Sequence, residues 1–149
     1  MIKRLRSLLP LILALTIAFL TACGGAPEAK APPTYTPEKI AQLRQYSGPI
    51  TAARQRMPEL ATLIADKEWI DVGNFIHGPL GQVRGSMGFI SRNLLPKDQD
   101  TAKEAAKELF VHLEKIDTAA KADRIDIAER QYAEALKDFD AFLDLIPDA

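Results

Sequence analysis

Cys23 is the chain's single cysteine, and its sequence context predicts that its thiol is covalently modified. It ends the tetrapeptide Leu-Thr-Ala-Cys at residues 20–23, with the small residue Ala22 directly before it and two glycines directly after it. A basic start and an apolar run at residues 8–20 give the order of a bacterial lipoprotein signal. We therefore expect residues 1–22 to be cleaved off and Cys23 to carry a diacylglyceryl group, which leaves no thiol for a disulfide or a metal ion.

The apolar run before Cys23 fits a signal peptide better than a membrane-spanning helix. Its 13 residues are fewer than the roughly 20 that a helix needs to cross the hydrocarbon core. The alternative is a short anchor helix with an incidental cysteine. Because burial of acyl chains is worth about 0.8 kcal/mol per methylene, lipid on Cys23 would hold the chain on a membrane and leave the rest in the adjoining aqueous space.

The two histidines, His77 and His112, are the remaining residues with strong metal-ligating chemistry. A di-iron helical bundle needs Glu-x-x-His twice, but the residues three positions before these histidines are Asn74 and Leu109. Covalent haem attachment needs Cys-x-x-Cys-His, which the sequence lacks. Neither kind of redox centre is predicted.

Two weaker metal sites remain as alternatives. Met57, Met87 and His112 could ligate a noncovalent haem, but the spacing of both methionines predicts core positions. Glu108 and His112 lie one helical turn apart and could share an adventitious surface zinc ion, although an exposed helical pair without metal is the favoured interpretation. We therefore predict no catalytic residues, no cofactor and no built-in metal site.

Beyond residue 22 the chain is mildly acidic. Residues 1–22 hold three of the 19 Lys and Arg residues and none of the 20 Asp and Glu residues, so the remainder has a formal net charge of −4. A surface of mixed sign with this net charge argues against binding to nucleic acid or to an anionic lipid surface.

A flexible spacer is predicted between the lipidated cysteine and the first helix. Residues 23–36 consist mostly of Gly, Ala and Pro, with almost nothing to bury. The prolines at positions 27, 32 and 33 favour extended polyproline conformation, which rises about 3.1 Å per residue. Such a spacer would reach roughly 40 Å from the bilayer, and we expect it to have no binding role of its own.

The rest of the chain predicts an all-α domain, an antiparallel up-down-up-down four-helix bundle over residues 37–149. Apolar residues recur at alternating steps of three and four, as packed helices require, in four segments at residues 37–65, 67–93, 99–120 and 124–146. Short connections force neighbouring helices to run antiparallel. The expected N-caps are Thr36, Asp98 and Asp123.

Pro49, Pro58 and Pro79 lie inside the first two predicted helices. An interior proline costs about 3 kcal/mol and kinks a helix, but the apolar spacing continues through all three positions. We expect bends in long helices, with Gly48-Pro49 and Gly78-Pro79 as the places where a short break is easiest. The expected inward stripe of the first helix is Ile40, Leu43, Ser47, Ile50, Arg54, Met57, Ala61 and Ile64, flanked by Tyr46, Ala53 and Leu60.

The stretch at residues 69–84 is the most unusual part of the predicted bundle. Its three glycines, at positions 73, 78 and 81, each cost about 1 kcal/mol in a helix relative to alanine. Two explanations stay open: close approach of a neighbouring helix, or a surface groove for a partner protein. Trp69 and Phe75 are likewise either core residues or interface anchors.

One heptapeptide in this stretch, Phe-Ile-His-Gly-Pro-Leu-Gly at residues 75–81, is distinctive. It is flanked by Trp69, Asp71, Val72, Arg84 and Met87 and followed by Leu-Leu-Pro at residues 94–96. Together these residues resemble the cyanobacterial branch of the PsbQ family, and the resemblance extends over the lipoprotein signal, the Pro-rich linker and all four segments. The candidate partner-contact residues are Trp69, Asp71, Phe75, His77, Gly78, Pro79 and Arg84.

The resemblance implies a four-helix bundle that serves as a non-catalytic extrinsic subunit of photosystem II, on the lumenal side of the thylakoid membrane. It implies a role in stabilising the dimeric complex and in retaining calcium and chloride at the manganese cluster, without binding the cluster. The implied neighbours are the manganese-stabilising protein PsbO and a lumenal domain of a core antenna chlorophyll protein.

Two other functions stay open at this stage. The chain could be a generic exported lipoprotein, a helical-bundle adaptor of some other membrane assembly. It could also be a small electron-transfer or metal-carrying bundle.

Overall fold

The computed structural model describes residues 33–148. The predicted signal peptide at residues 1–22, the lipidation site Cys23 and most of the predicted linker lie outside the described residues.

All regular secondary structure in the described range is helical, as predicted. Helix α1 is Pro37–Ala65. Helix α2 consists of Trp69–Phe75, a π-helical turn at Ile76–Leu80 and Gly81–Asn93, with right-handed helical backbone across both junctions. Helices α3 and α4 are Pro96–Lys121 and Ile125–Leu143.

The helix starts confirm one predicted N-cap and correct two. The Thr36 hydroxyl accepts a hydrogen bond from the Lys39 N–H at 3.3 Å, with Pro37 at the first helical position, as predicted. Helix α3 starts at Pro96 and not near Gln99, so Asp98 lies in its first turn and not at its N-cap. The reason is that proline, which has no N–H to satisfy, is suited to the first helical position.

The predicted N-cap of α4 is also wrong. Asp123 adopts a left-handed conformation with φ of 50°, and the N-cap is Arg124. Lys67 adopts a similar conformation with φ of 57°, which is not helical. Helix α2 therefore starts at Trp69, two residues after the predicted start at residue 67. At its other end α4 stops at Leu143, three residues before the predicted boundary.

The interior prolines do not break either helix. Helix α1 continues through Pro49 and Pro58. Pro79 lies within the π-helical turn, whose wider hydrogen-bonding pattern accommodates a residue that has no N–H to donate. The described helices therefore continue through Gly48-Pro49 and Gly78-Pro79, as expected, without a nonhelical break.

The four helices pack in a ring around one core. Helices α1 and α3 each contact both α2 and α4, and short turns join consecutive helices, which gives the predicted up-down-up-down bundle. Full burial of one large apolar side chain is worth roughly 1.5–3 kcal/mol. All four helices contribute such residues, among them Leu43, Met57, Leu80, Met87, Leu109, Leu113, Phe139 and Phe142.

The predicted inward stripe of α1 is only partly right. Ile40, Ser47, Arg54 and Ala61 are half-buried, whereas Ala53 and Leu60, predicted as flanking residues, are buried. A straight α-helix drifts about 20° per heptad from a strict seven-residue repeat, so over 29 residues the inward face moves onto neighbouring positions. Arg54 instead reaches α4, where Nε and Nη2 bond Asp140 at 2.8 and 2.9 Å.

Hydrogen bonds join the turns at each end of the bundle. At one end, Trp69 Nε1 donates to Asp123 Oδ1 at 2.9 Å, and Lys67 Nζ lies 3.5 Å from the same oxygen. At the other end, the Tyr35 hydroxyl accepts from the Leu95 N–H at 2.9 Å and donates to Asp98 Oδ2 at 3.4 Å. The entering chain is thereby fastened to the α2–α3 turn.

One nearly buried carboxylate lies between α2 and α3. Asp117 is 8% exposed, and its Oδ2 lies 2.6 Å from Lys121 Nζ and 3.4 Å from His77 Nε2. Burial disfavours the charged form, but the hydrogen bonds from Lys121 and His77 outweigh it, so the pKa of Asp117 lies below its ordinary value of 3.8.

Replacing Tyr35 with Phe removes the acceptor of the Leu95 N–H, so we expect the free energy of unfolding to fall by about 1 kcal/mol in a denaturant titration. The matched control is Tyr46→Phe, because the Tyr46 ring stacks on Phe89 at 3.8 Å while its hydroxyl bonds no other described residue. Equal losses in the two variants would show that the Tyr35 hydroxyl does not fasten the chain entry.

Replacing Asp117 with Asn should lower the free energy of unfolding by about 1 kcal/mol at neutral pH. Because the folded-state pKa of Asp117 is lowered, its contribution is present above the unfolded-state pKa and is lost as the pH falls through the folded-state value. The difference from wild type should therefore be constant above about pH 5 and shrink below about pH 4.

The matched control for this pH series is Asp100→Asn, since the Asp100 side chain is 93% exposed and pairs only with Lys103 among the described residues. It should leave stability unchanged. If the stability difference between Asp117→Asn and wild type grew as the pH falls, the lowered pKa of Asp117 would be contradicted.

Candidate functional site

The candidate contact stretch occupies the first half of α2 and its π-helical turn. It borders an open groove of about 540 Å³ on the outer surface where α2 meets the C-terminal half of α3. We call this the first groove; its lining residues are Trp69, Ile70, Gly73, Asn74, His77, Asp117, Ala120 and Lys121.

Ile70 is the most exposed large apolar side chain at this groove, at 82% of its full accessible surface. Next to it, the Trp69 indole is held in place by its hydrogen bond to Asp123. The first groove therefore combines one exposed apolar side chain with a fixed aromatic ring.

Polar groups surround the apolar part of the first groove. The His77 side chain is 68% exposed and faces Asp117, which also binds Lys121. Asn74 Nδ2 is 3.4 Å from Asp71 Oδ1, and Asp71 itself is exposed and lies beside the groove rather than in its lining. The groove therefore has hydrogen-bonding groups available to a partner around an apolar centre.

The glycines of this stretch are not explained by close helix packing. A Cβ added at Gly78 would meet no atom within 4 Å, and one at Gly73 would lie 3.5 Å from Asp117 Oδ1, an ordinary contact distance. Gly73 lines the groove, and Gly78 lies half-buried beside Pro79 in the π-helical turn. Close helix packing is thus not the explanation of these glycines, and Gly73 is the one glycine of the three that lines the groove.

Phe75 is a core residue. It is 6% exposed and packs within the bundle, with the Arg56 guanidinium 4.9 Å from its ring centroid. Trp69, in contrast, is half-buried and lines the groove. The two aromatic residues that the sequence treats alike thus have different positions.

Arg84 does not belong to the first groove. Its guanidinium carbon lies 3.8 Å from the centroid of the Phe110 ring on α3, and Arg84 is seven residues, about two helical turns, further along α2 than His77. Of the predicted contact residues, Trp69 and His77 line the first groove, Phe75 lies in the core and Arg84 lies in a second region. The lining of the first groove does not include the other three, Asp71, Gly78 and Pro79.

Sequence reasoning missed the α3 side of the first groove. Asp117 follows the predicted core residue Ile116 and precedes Lys121 by four positions. The one available signal is an acidic residue beside an apolar stripe with a lysine one helical turn later. That signal does not show that the carboxylate faces His77 on another helix.

The residues considered for metal binding differ in their surroundings. Met57 and Met87 are fully buried core residues, as their spacing predicts. His112 Nδ1 lies 2.7 Å from Asp138 Oδ2, and adventitious zinc binding by Glu108 and His112 stays an untested alternative to the favoured metal-free pair. Within residues 33–148, no three or more His, Cys, Asp or Glu side chains are grouped so that they could hold a metal ion.

None of the helices in residues 33–148 combines the length and the apolar character needed to cross a membrane.

Comparison with known proteins extends these observations to nearly the whole chain. Residues 3–147 match the family model described as PsbQ, Oxygen evolving enhancer protein 3. A relative named CyanoQ, from Synechocystis sp., is 53% identical over 148 residues, which cover 99% of this chain and 99% of that protein. The chain belongs to the PsbQ family, as the heptapeptide at residues 75–81 and its flanking residues predict.

Proposed function

We propose that this chain is a non-catalytic extrinsic subunit of photosystem II, held on the lumenal side of the thylakoid membrane by lipid on Cys23. In this role it stabilises the oxygen-evolving complex and supports its retention of calcium and chloride. The observation that carries the proposal is the match to the Oxygen evolving enhancer protein 3 family over residues 3–147.

The proposed partners are PsbO and a core antenna chlorophyll protein, and the first groove is the proposed contact. Ile70 supplies an apolar group that a partner can cover, while Asn74, His77 and Lys121 surround it with hydrogen-bonding groups. Interfaces of modest size often derive most of their binding energy from one or two such central residues.

The proposed mechanism is coverage of the lumenal surface. A rigid bundle bound over that surface slows the exit of calcium and chloride without ligating either ion. Ion retention then depends on how often the site is occupied by the bundle, so binding strength is the property that matters.

The lipid and the groove are expected to act together. Tethering to the membrane confines the bundle near the complex, and a confined partner has an effective concentration of the order of mM. Weak contacts at the first groove are then enough for high occupancy. This explains why a small exposed contact can support a stable assembly.

The two functional hypotheses, a photosystem II subunit and a generic adaptor of another membrane assembly, differ in the complex with which the chain should comigrate. The wild-type chain should comigrate with oxygen-evolving complexes solubilised in mild detergent. Comigration with a different assembly would overturn the proposed function.

Replacing Cys23 with Ser should release most of the protein from the membrane fraction, because the hydroxyl cannot accept the diacylglyceryl group. Immunoblots of membrane and soluble fractions measure the release, and mass spectrometry of the N-terminus in both forms checks the lipid. Occupancy on isolated complexes should fall in parallel. Unchanged membrane retention of the variant, or a wild-type N-terminus without acyl groups, would refute the tether.

Replacing Ile70 with Gln should weaken binding to the complex about tenfold, because burial of an isoleucine side chain is worth roughly 1.5–3 kcal/mol. Because the Ile70 side chain is exposed in the free bundle, the Ile70→Gln variant should be as stable as wild type. The measurement is titration of depleted complexes with each variant at fixed salt.

Ala52→Gln is the matched control for Ile70→Gln, since Ala52 is exposed on α1 outside the first groove. It should bind as wild type does. If both variants bind normally, the first groove is not the contact.

A further inference from the structure

A second groove on the outer surface between α2 and α3 is rich in positive charge. It encloses about 370 Å³, and four of its eight lining residues carry a Lys or Arg side chain. We call it the cationic groove; it is lined by Arg84, Gly88, Ser91, Arg92, Lys103, Ala106, Lys107 and Phe110.

The Arg84 guanidinium is held in a defined position by the floor of this groove. Its carbon lies 3.8 Å from the centroid of the nearly buried Phe110 ring. A cation so close to an aromatic ring is attracted to the ring's π electrons. Because the ring makes no conventional hydrogen bonds to guanidinium N–H groups, these donors stay available to a planar anion such as a carboxylate.

Gly88 provides space for the second arginine. A Cβ built on Gly88 would lie 3.3 Å from Arg92 Nη1, which is tighter than most real contacts. The Arg92 guanidinium therefore lies against the backbone of α2 at a position where a larger residue would displace it. An alanine at position 88 would need this guanidinium to shift by a few tenths of an ångström.

The two arginines differ from the two lysines in their partners. Lys103 pairs with Asp100 at 2.8 Å, and Lys107 lies 2.8 Å from Glu104 and 3.5 Å from Glu108. Among residues 33–148, no carboxylate lies within ion-pairing distance of Arg84 or Arg92. Two positive charges at this site are thus uncompensated in a chain whose net charge beyond residue 22 is −4.

We propose that the cationic groove binds a carboxylate-rich segment of a protein partner, with Arg84 and Arg92 each donating to one acidic side chain. The apolar floor formed by Phe110 and Ala106 suits the methylene groups of such side chains. This proposal rests on the proposed function for the identity of the assembly, photosystem II. It adds the chemistry of a second contact with that assembly.

The surrounding charges favour a protein segment over an anionic lipid surface. Asp100 and Glu104 stand exposed beside the groove, and a membrane of uniform negative charge would bring its head groups against them as well. A narrow acidic peptide can reach Arg84 and Arg92 without meeting these carboxylates.

The test is direct binding of a fluorescein-labelled oligoglutamate peptide to the mature chain in detergent, followed by fluorescence anisotropy. We expect the variant carrying Arg84→Gln and Arg92→Gln to bind the peptide about tenfold or more weakly than wild type, and added salt to weaken wild-type binding. The matched control carries Arg44→Gln and Arg130→Gln, an equal loss of charge from exposed positions on α1 and α4, and should bind nearly as wild type does.

Two further variants separate binding from stability. Arg92→Gln alone leaves the Arg84–Phe110 contact intact and should still weaken peptide binding. Arg84→Lys keeps the charge but loses the planar donor pair, so it should bind with intermediate strength. Thermal unfolding of each variant confirms that the bundle is folded.

Three outcomes would overturn the proposal: equal losses in the two double variants, no peptide binding by wild type, or arginine-dependent binding to phosphatidylglycerol vesicles in place of the peptide. The peptide assay does not involve photosystem II. A chain that binds the peptide but fails to comigrate with oxygen-evolving complexes would overturn the proposed function and leave the groove assignment standing.

Discussion

The second helix runs unbroken past Pro79, and the packing of the whole bundle depends on that continuity. Proline cannot donate a backbone hydrogen bond, and its ring crowds the preceding turn. The π-helical turn Ile76–Leu80 accommodates both effects, so Val72 before it and Val83 after it are buried in the same core. A break at this point would separate the halves of α2 and deprive α1 and α3 of a common neighbour along their length.

The same continuity gives the outer surface between α2 and α3 two unlike grooves. Near one end, Asp117 already pairs with Lys121 and lies 3.4 Å from His77 Nε2, so Ile70 is the distinguishing group of the first groove. Towards the other end, Arg84 and Arg92 have no such partners within the described residues. Because salt screens charge over roughly 8–10 Å, a partner responds to these local charges more than to the net charge of the chain.

The sequence predicts the architecture well because apolar spacing records which side of each helix is buried. Val72, Leu80 and Met87 all lie where that spacing places them. Local turn geometry is harder, as Asp98 and Asp123 show, since several neighbouring residues can end or start a helix. The grooves are harder still: Asp117 with His77, or Arg84 with Phe110, join helices whose relative register depends on packing that no single segment encodes.

Two weak contacts on one rigid face behave differently from two independent ones. If the π-helical turn keeps α2 straight enough to fix the distance between the grooves, binding at the first groove holds the cationic groove near its own partner segment. The second contact then forms at a high effective concentration, just as the proposed lipid tether would raise the effective concentration for the first contact. In the proposed assembly, rigidity of α2 is therefore part of the binding free energy, and the heptapeptide at residues 75–81 would contribute through the helix as well as through the His77 side chain.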